Sequence, residues 1–96
     1  MSRVADNPAE LRYELHDDDN LVGEIRYRRL PGALAFVHTE VDPKRHGLGT
    51  ELVRGALDDV RGRGLSVVPV CPFVAAFIKR HPEYADLVTA DDATPE

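Results

Sequence analysis

From Leu11 the chain alternates: Leu11, Tyr13 and Leu15 are apolar, while Arg12, Glu14 and His16 between them are polar. This is the two-residue period of a strand with one buried face. Asp17, Asp18, Asp19 and Asn20 then make a turn, a second strand covers 21–30, and Pro31 with Gly32 marks another reversal. The third strand, 33–41, should pair with the second, and the first two should form a hairpin. Ala33, Leu34, Ala35 and Phe36 are apolar on both faces, which predicts a central strand covered on both sides. The end of this strand turns polar, with His38 and Glu40 on one face and Thr39 on the other, and Asp42 and Pro43 stop it.

At Leu48 the period becomes helical. Leu48, Leu52, Val53, Ala56, Leu57 and Val60 form one stripe, opposite Glu51, Arg54, Asp58, Arg61 and Arg63. Gly62 and Gly64 close that helix. Gly55 in its middle costs about 1 kcal/mol relative to Ala, which is tolerable where the backbone must approach the sheet or a ligand. Residues 65–70 read as a short buried strand after a crossover helix, parallel to the third strand. Pro69 there calls for a bulge or a splayed end. A second helix over 73–80 starts after Pro72 and is ended by Pro82. Residues 1–10 and 89–96 are polar and without period, so they read as flexible ends flanking one folded domain at 11–88. The order is β-β-β-α-β-α, an α/β fold with a mixed sheet, and function should lie where the third strand meets the first helix.

Composition narrows the class. The 96 residues, 43% hydrophobic and 30% charged, suit one soluble domain with a thin core. No stretch approaches the roughly 18 apolar residues of a membrane span, and Met1 to Glu10 lack the features of a signal peptide, so a cytoplasmic location is expected. The single cysteine, Cys71, excludes an internal disulfide and fits a reducing compartment. A net charge of −5 disfavours nucleic acid as a partner. Positive charge is concentrated at Lys44, Arg45 and His46 and again at Lys79, Arg80 and His81, a pattern suited to a small polyanion. His38, His46, His81 and Cys71 are too scattered for metal ligation, so no metal is expected. A thin core is compatible with a homodimer.

The run Lys44, Arg45, His46, Gly47, Leu48, Gly49, Thr50 joins a strand to a helix through two glycines. Glycines let the backbone approach a phosphate, and the helix start presents free N–H groups and a positive dipole end. By itself the pattern is equally a tight turn. It is not a P-loop, since no Lys follows Gly49, nor a dinucleotide fingerprint, since Leu52 stands where the third glycine belongs.

The phrase from Phe36 to Val53, with "HTEV" and "KRHGLGTELV", together with "VVPVCPFVAAFIKRHPEYADLV" at 67–88, resembles the short, single-domain N-acetyltransferase domain-containing group of the GNAT superfamily. The resemblance implies a GNAT-like mixed sheet. It also implies that acetyl-CoA places its pyrophosphate on the backbone of Lys44 to Thr50 and its pantetheine along Thr39 to Val41. Lys44 holds the position where the superfamily pattern has Gln or Arg, and contacts phosphate as a point charge without the bidentate geometry of Arg. The stretch from Val41 to Gly47 is shorter than in many relatives. Phe77 stands where many relatives have Tyr, which removes a phenolic acid.

Acetyl transfer to an amine requires a base, donors for the oxyanion and a proton for the leaving thiolate. Glu40 and His38 are candidate bases from one strand face, Glu40 on condition that partial burial raises its pKa; the plainer alternative is an ion pair and a packed histidine. Cys71 is a candidate nucleophile or acid, or else a small buried hydrophobe. Lys79 and Arg80 could hold the 3′-phosphate end of CoA or an acidic acceptor, or simply complement a helix dipole. The leading expectation is an N-acetyltransferase acting on a primary amine of a small molecule or protein. The alternative is a non-catalytic CoA-binding or interaction module on the same fold.

Overall fold

The computed structural model describes residues 2–89. Five strands lie in sequential order in one sheet: β1 (Ser2–Asn7), β2 (Arg12–Asp17), β3 (Asn20–Leu30), β4 (Ala33–Val41) and β5 (Ser66–Pro69). The first four are mutually antiparallel, and β5 runs parallel to β4 because helix α1 (Leu48–Gly62) carries the chain back along the sheet. Helix α2 (Pro72–Arg80) and a 3₁₀ segment (Pro82–Leu87) follow, and Val88 then bridges Val67 at the β5 edge. The expected mixed α/β sheet is present, with one strand more than the periodicity indicated.

That strand corrects the expectation of a flexible end at 1–10. Ser2 to Asn7 pair along their length with Asp17 to Arg12. Val4 seats on Gly55 of α1, and Asp6 accepts a hydrogen bond from the Tyr27 hydroxyl and pairs with Arg63. Leu11 is a second correction: it sits in the β1–β2 turn at φ +55, exposed, and outside the strand it was expected to begin. The other expected flexible end, 89–96, lies outside the described residues except for Thr89, whose N–H donates to the Val67 carbonyl at 2.9 Å.

The core gathers Tyr13, Leu15, Ile25, Tyr27, Leu34 and Phe36 from the sheet against Leu52, Val53, Ala56, Leu57 and Val60 of α1 and Val74 and Phe77 of α2. Tyr13 lies with its ring 5.6 Å from that of Tyr27 and 5.8 Å from that of Phe36. Ala33 and Ala35 are also buried, though outside this cluster, as suits a strand with neighbours on both sides. The C-terminal end of α1 is closed by Gly64 at φ +70: its N–H donates to the Arg61 carbonyl and that of Leu65 to the Val60 carbonyl, the paired bonds that terminate a helix on glycine.

Two irregularities shape the region where β4 meets α1. The β3–β4 register shifts so that Arg26 faces His38 and Tyr27 faces Phe36, leaving Val37 as an extra residue. A one-residue bulge reverses the alternation beyond it, so Thr39, opposite the buried Ile25, turns to the helix side and His38 and Glu40 turn away. On the other flank β5 ends at Pro69, opposite Phe36, while β4 runs on to Val41. Pro69 lacks a donor, and bonding to β4 resumes with the Cys71 N–H donating to the Phe36 carbonyl at 2.8 Å. The two strands part just past that bond.

Candidate functional site

The second half of β4, the start of α1 and the start of α2 converge beyond Phe36. Cys71 caps α2 from extended backbone, is buried, and holds its Sγ 3.4 Å from the Thr39 hydroxyl. Burial alone would push the thiol up. The Thr39 hydroxyl and the N–H groups of Val74, Phe73 and Thr39 outweigh it, so its pKa lies below the ordinary thiol value. A helix start that stabilises an anion therefore points at the only cysteine of the chain.

The glycine turn is organised by Asp42. Its carboxylate accepts the Lys44 N–H at 3.0 Å and its carbonyl the Arg45 N–H at 3.3 Å. Gly47 then adopts φ +82, open to glycine at little cost, and its carbonyl takes the Glu51 N–H. Among the described residues no protein group accepts the N–H of His46, Gly47, Leu48, Gly49 or Thr50. Five successive donors at the mouth of a helix fit a diphosphate. Of the side chains, Lys44 and His46 are exposed, whereas the Arg45 guanidinium is held by Asp17 at the end of β2. The expected contribution of Arg45 to anion binding thus competes with an existing ion pair.

Gly49 has a second, structural reason to lack a side chain. A Cβ there would come within 2.5 Å of Phe73 Cζ, so the Phe73 ring rests directly on the helix start. Sequence reasoning did not single out Phe73; two glycines before a helix disclose that something approaches closely, but not what.

His38 and Glu40 lie 3.9 Å apart on the face of β4 away from Thr39, with Glu40 72% exposed. The partial burial expected of Glu40 is absent. Both residues continue a charged band across the open face of the sheet. In it, Arg12 bridges Glu14 at 2.7 Å and Glu24 at 2.8 Å, Arg26 meets Glu24 at 3.1 Å, and His16 meets Glu14 at 2.9 Å. A groove of about 390 Å³ runs past Gly23, Glu24, Glu40, Val41 and Pro43, alongside the glycine turn. Lys79 and Arg80 occupy the last turn of α2, about 12 Å along the helix axis from its start beside Gly49. There they complement the α2 dipole. Phe77 is fully buried, stacked on His81 at 4.2 Å. Among the described residues no three His, Cys, Asp or Glu side chains gather as metal ligands, and no helix is long and apolar enough to cross a membrane.

Comparison with known proteins agrees with this geometry. The family model described as GCN5-related N-acetyl-transferase matches residues 12–87. No curated protein matches the chain. Among solved structures, the NMR solution structure of a GCN5-like protein from Staphylococcus aureus, itself described as a proposed N-acetyltransferase, superposes with a TM-score of 0.68 at 20% identity, over 93% of this chain and 89% of that one. At that identity the likeness establishes the fold, and the family match spans most of the sequence with both helix starts inside it: the chain belongs to the GCN5-related N-acetyltransferase family.

Proposed function

We propose that this family member is an acetyl-CoA-dependent N-acetyltransferase that moves an acetyl group onto a primary amine of a small molecule or a protein. The observation that carries the reading is the pairing of the unengaged amides at 46–50 with Cys71, hydrogen-bonded to Thr39 beside them.

In this reading the amides of His46 to Thr50, with the charge of Lys44, hold the pyrophosphate of the cofactor. Arg45 joins them once it leaves Asp17. The backbone of Thr39 to Val41, beyond the end of β5, takes the pantetheine arm. The lowered thiol pKa favours Cys71 as a thiolate over Cys71 as a proton donor. Its sulfur attacks the thioester carbonyl, the carbon–sulfur bond to CoA breaks, and the CoA thiolate leaves to take a proton from water. The neutral amine then attacks acetyl-Cys71 and regenerates the Cys71 thiolate. The proton lost by the amine passes into solvent water, and His38 and Glu40, exposed on the face of β4 away from Thr39, receive it only from that water. Lys79 and Arg80, in the last turn of α2, take the 3′-phosphate end of CoA or an acidic acceptor as well as complementing the helix dipole. A cytoplasmic location accords with the reduced thiol and with the cosubstrate.

Isothermal titration with acetyl-CoA, followed by thiol-release assays over a panel of primary amines, tests the reading. Binding, turnover and an acetyl increment on Cys71 by mass spectrometry are the expected results, with turnover lost in Cys71→Ala. Absence of binding at millimolar acetyl-CoA ends it. Binding without thiol release for any amine leaves the alternative, a CoA-binding module, to which the exposure of Glu40 and the missing hydroxyl at Phe77 give weight.

A further inference from the structure

Phe73 touches both halves of the site. It stands two residues after Cys71, with its N–H facing the Cys71 sulfur. Its ring reaches the other way, to the start of α1, where Cζ and Cε2 would lie 2.5 Å and 2.9 Å from a Cβ built on Gly49. Cys71 and the start of α1 are therefore both touched by this one residue, the first through its N–H and the second through its ring. Its neighbours Val74 and Phe77 are fully buried, whereas Phe73 is 39% exposed. One side of its seat is a glycine backbone and the ring is partly open to solvent, so a change of χ1 rotamer is the motion available to it.

We propose that Phe73 is a gate on the cofactor path: its ring closes over Gly49 and must swing outward before the arm joining a diphosphate to a thioester can lie between the glycine turn and Cys71. The inference rests on the acetyl-CoA reading and adds to it a residue that governs entry. A gate closed about nine-tenths of the time lowers apparent affinity and association rate about tenfold, because only the open population binds.

Coenzyme A itself, which carries no acetyl group to transfer, is the probe. Two measurements are combined: stopped-flow association with wild type, Phe73→Leu and Phe73→Ala, and the chemical shifts of the Gly49 α protons, which make no bond to phosphate, during an NMR titration. In the free protein those shifts should carry a ring-current displacement that Phe73→Leu abolishes. Saturating coenzyme A should abolish it in wild type too, and Phe73→Ala should associate about tenfold faster. The NMR arm uses wild type, so it decides the matter even if Phe73→Ala fails to fold. If wild type binds while the Gly49 displacement persists at saturation and Phe73→Leu associates at the wild-type rate, Phe73 is a fixed wall and the gate is overturned alone. If wild type does not bind coenzyme A, the gate falls together with the acetyl-CoA reading.

Discussion

Val4 Cγ2 would lie 2.5 Å, and Val4 Cβ 2.8 Å, from a side chain at Gly55, so β1 and α1 meet backbone to side chain with no room for a methyl group. Valine is stiff at χ1 and cannot turn away cheaply. Gly55→Ala should therefore destabilise the fold by about 1–3 kcal/mol through overpacking, although Ala favours a helix interior by about 1 kcal/mol. In a Val4→Ala background the same change should cost less, because the Cγ2 contact at 2.5 Å is gone and only the Cβ contact at 2.8 Å remains. Urea unfolding of the two single variants and the double variant measures the coupling. An additive cycle would mean that β1 does not bear on α1.

The buried polar cluster at the opposite end of the sheet from Cys71 predicts alkaline behaviour. Tyr27 donates to Asp6 at 2.7 Å and Tyr13 to Asp59, while Arg63 joins the two carboxylates at 3.0 Å and 2.9 Å. Burial, followed by the nearby Asp6 charge, pushes the Tyr27 hydroxyl up from 10.0 to about 12. A pKa raised by folding contributes stability that is complete below the unfolded value and is lost as pH climbs through the folded one. Stability should thus decline between pH 10 and 12, by about 2 kcal/mol from this group. Tyr27→Phe should cost about 1 kcal/mol at neutral pH for the lost hydrogen bond and flatten part of that decline. Thermal melts from pH 7 to 11 provide the comparison.

These two features also mark what the sequence makes readable. The strand at 33–41, the helix from Leu48 to Gly62 and the helix ending before Pro82 were legible because each has a one-sided or wholly apolar stripe stopped by Gly or Pro. β1 was not, because a single side chain, Val4, supplies its apolar contact with the core, and the other half of that contact is a glycine distant in sequence. Gly55 was read as a site of close approach, yet the approaching residue could not be named. The glycine turn alone read equally as a tight turn, and its reading as a cofactor cradle, like that of Cys71 as a site residue, came from the resemblance to the GNAT superfamily. The bulge at Val37 sets which face Thr39 presents, and it depends on pairing with β3, which a strict period-two reading cannot register. Phe73 escaped notice for the same reason as Val4: its partner is an absent side chain.

Acid sensitivity should come from Glu14, buried at 8% exposure on the open face of the sheet. Burial pushes its carboxyl up, but hydrogen bonds with His16, Asn7 and Arg12 outweigh that and lower it from 4.5 to about 2. A depressed carboxylate contributes stability above its unfolded pKa that is lost as pH falls through the folded value. Wild type should therefore lose about 2 kcal/mol between pH 4.5 and pH 2 on account of this residue. Glu14→Gln should be less stable by a similar amount at pH 6 and nearly equal to wild type at pH 2. Denaturant midpoints at those two values decide it, and a constant gap between the proteins would assign the acid transition to other carboxylates.

Thr39 and Cys71 supply a test that separates a tuned thiol from a merely buried one. Thr39→Val keeps the shape of the side chain and removes the hydroxyl that lies 3.4 Å from the sulfur. With that hydrogen bond gone, burial is opposed only by the backbone N–H groups of Val74, Phe73 and Thr39, and the thiol pKa should rise. The pH midpoint of Cys71 alkylation by iodoacetamide should move upward in Thr39→Val and stay in place in Thr39→Ser. If acetyl transfer runs through the thiolate, the rate at neutral pH should fall about tenfold, the size of one hydrogen bond to a charged acceptor, with the activity profile displaced in the same direction as the alkylation profile. An unchanged alkylation midpoint would show that the hydroxyl packs against the sulfur without stabilising its anion, and the nucleophilic role of Cys71 would lose its main physical support.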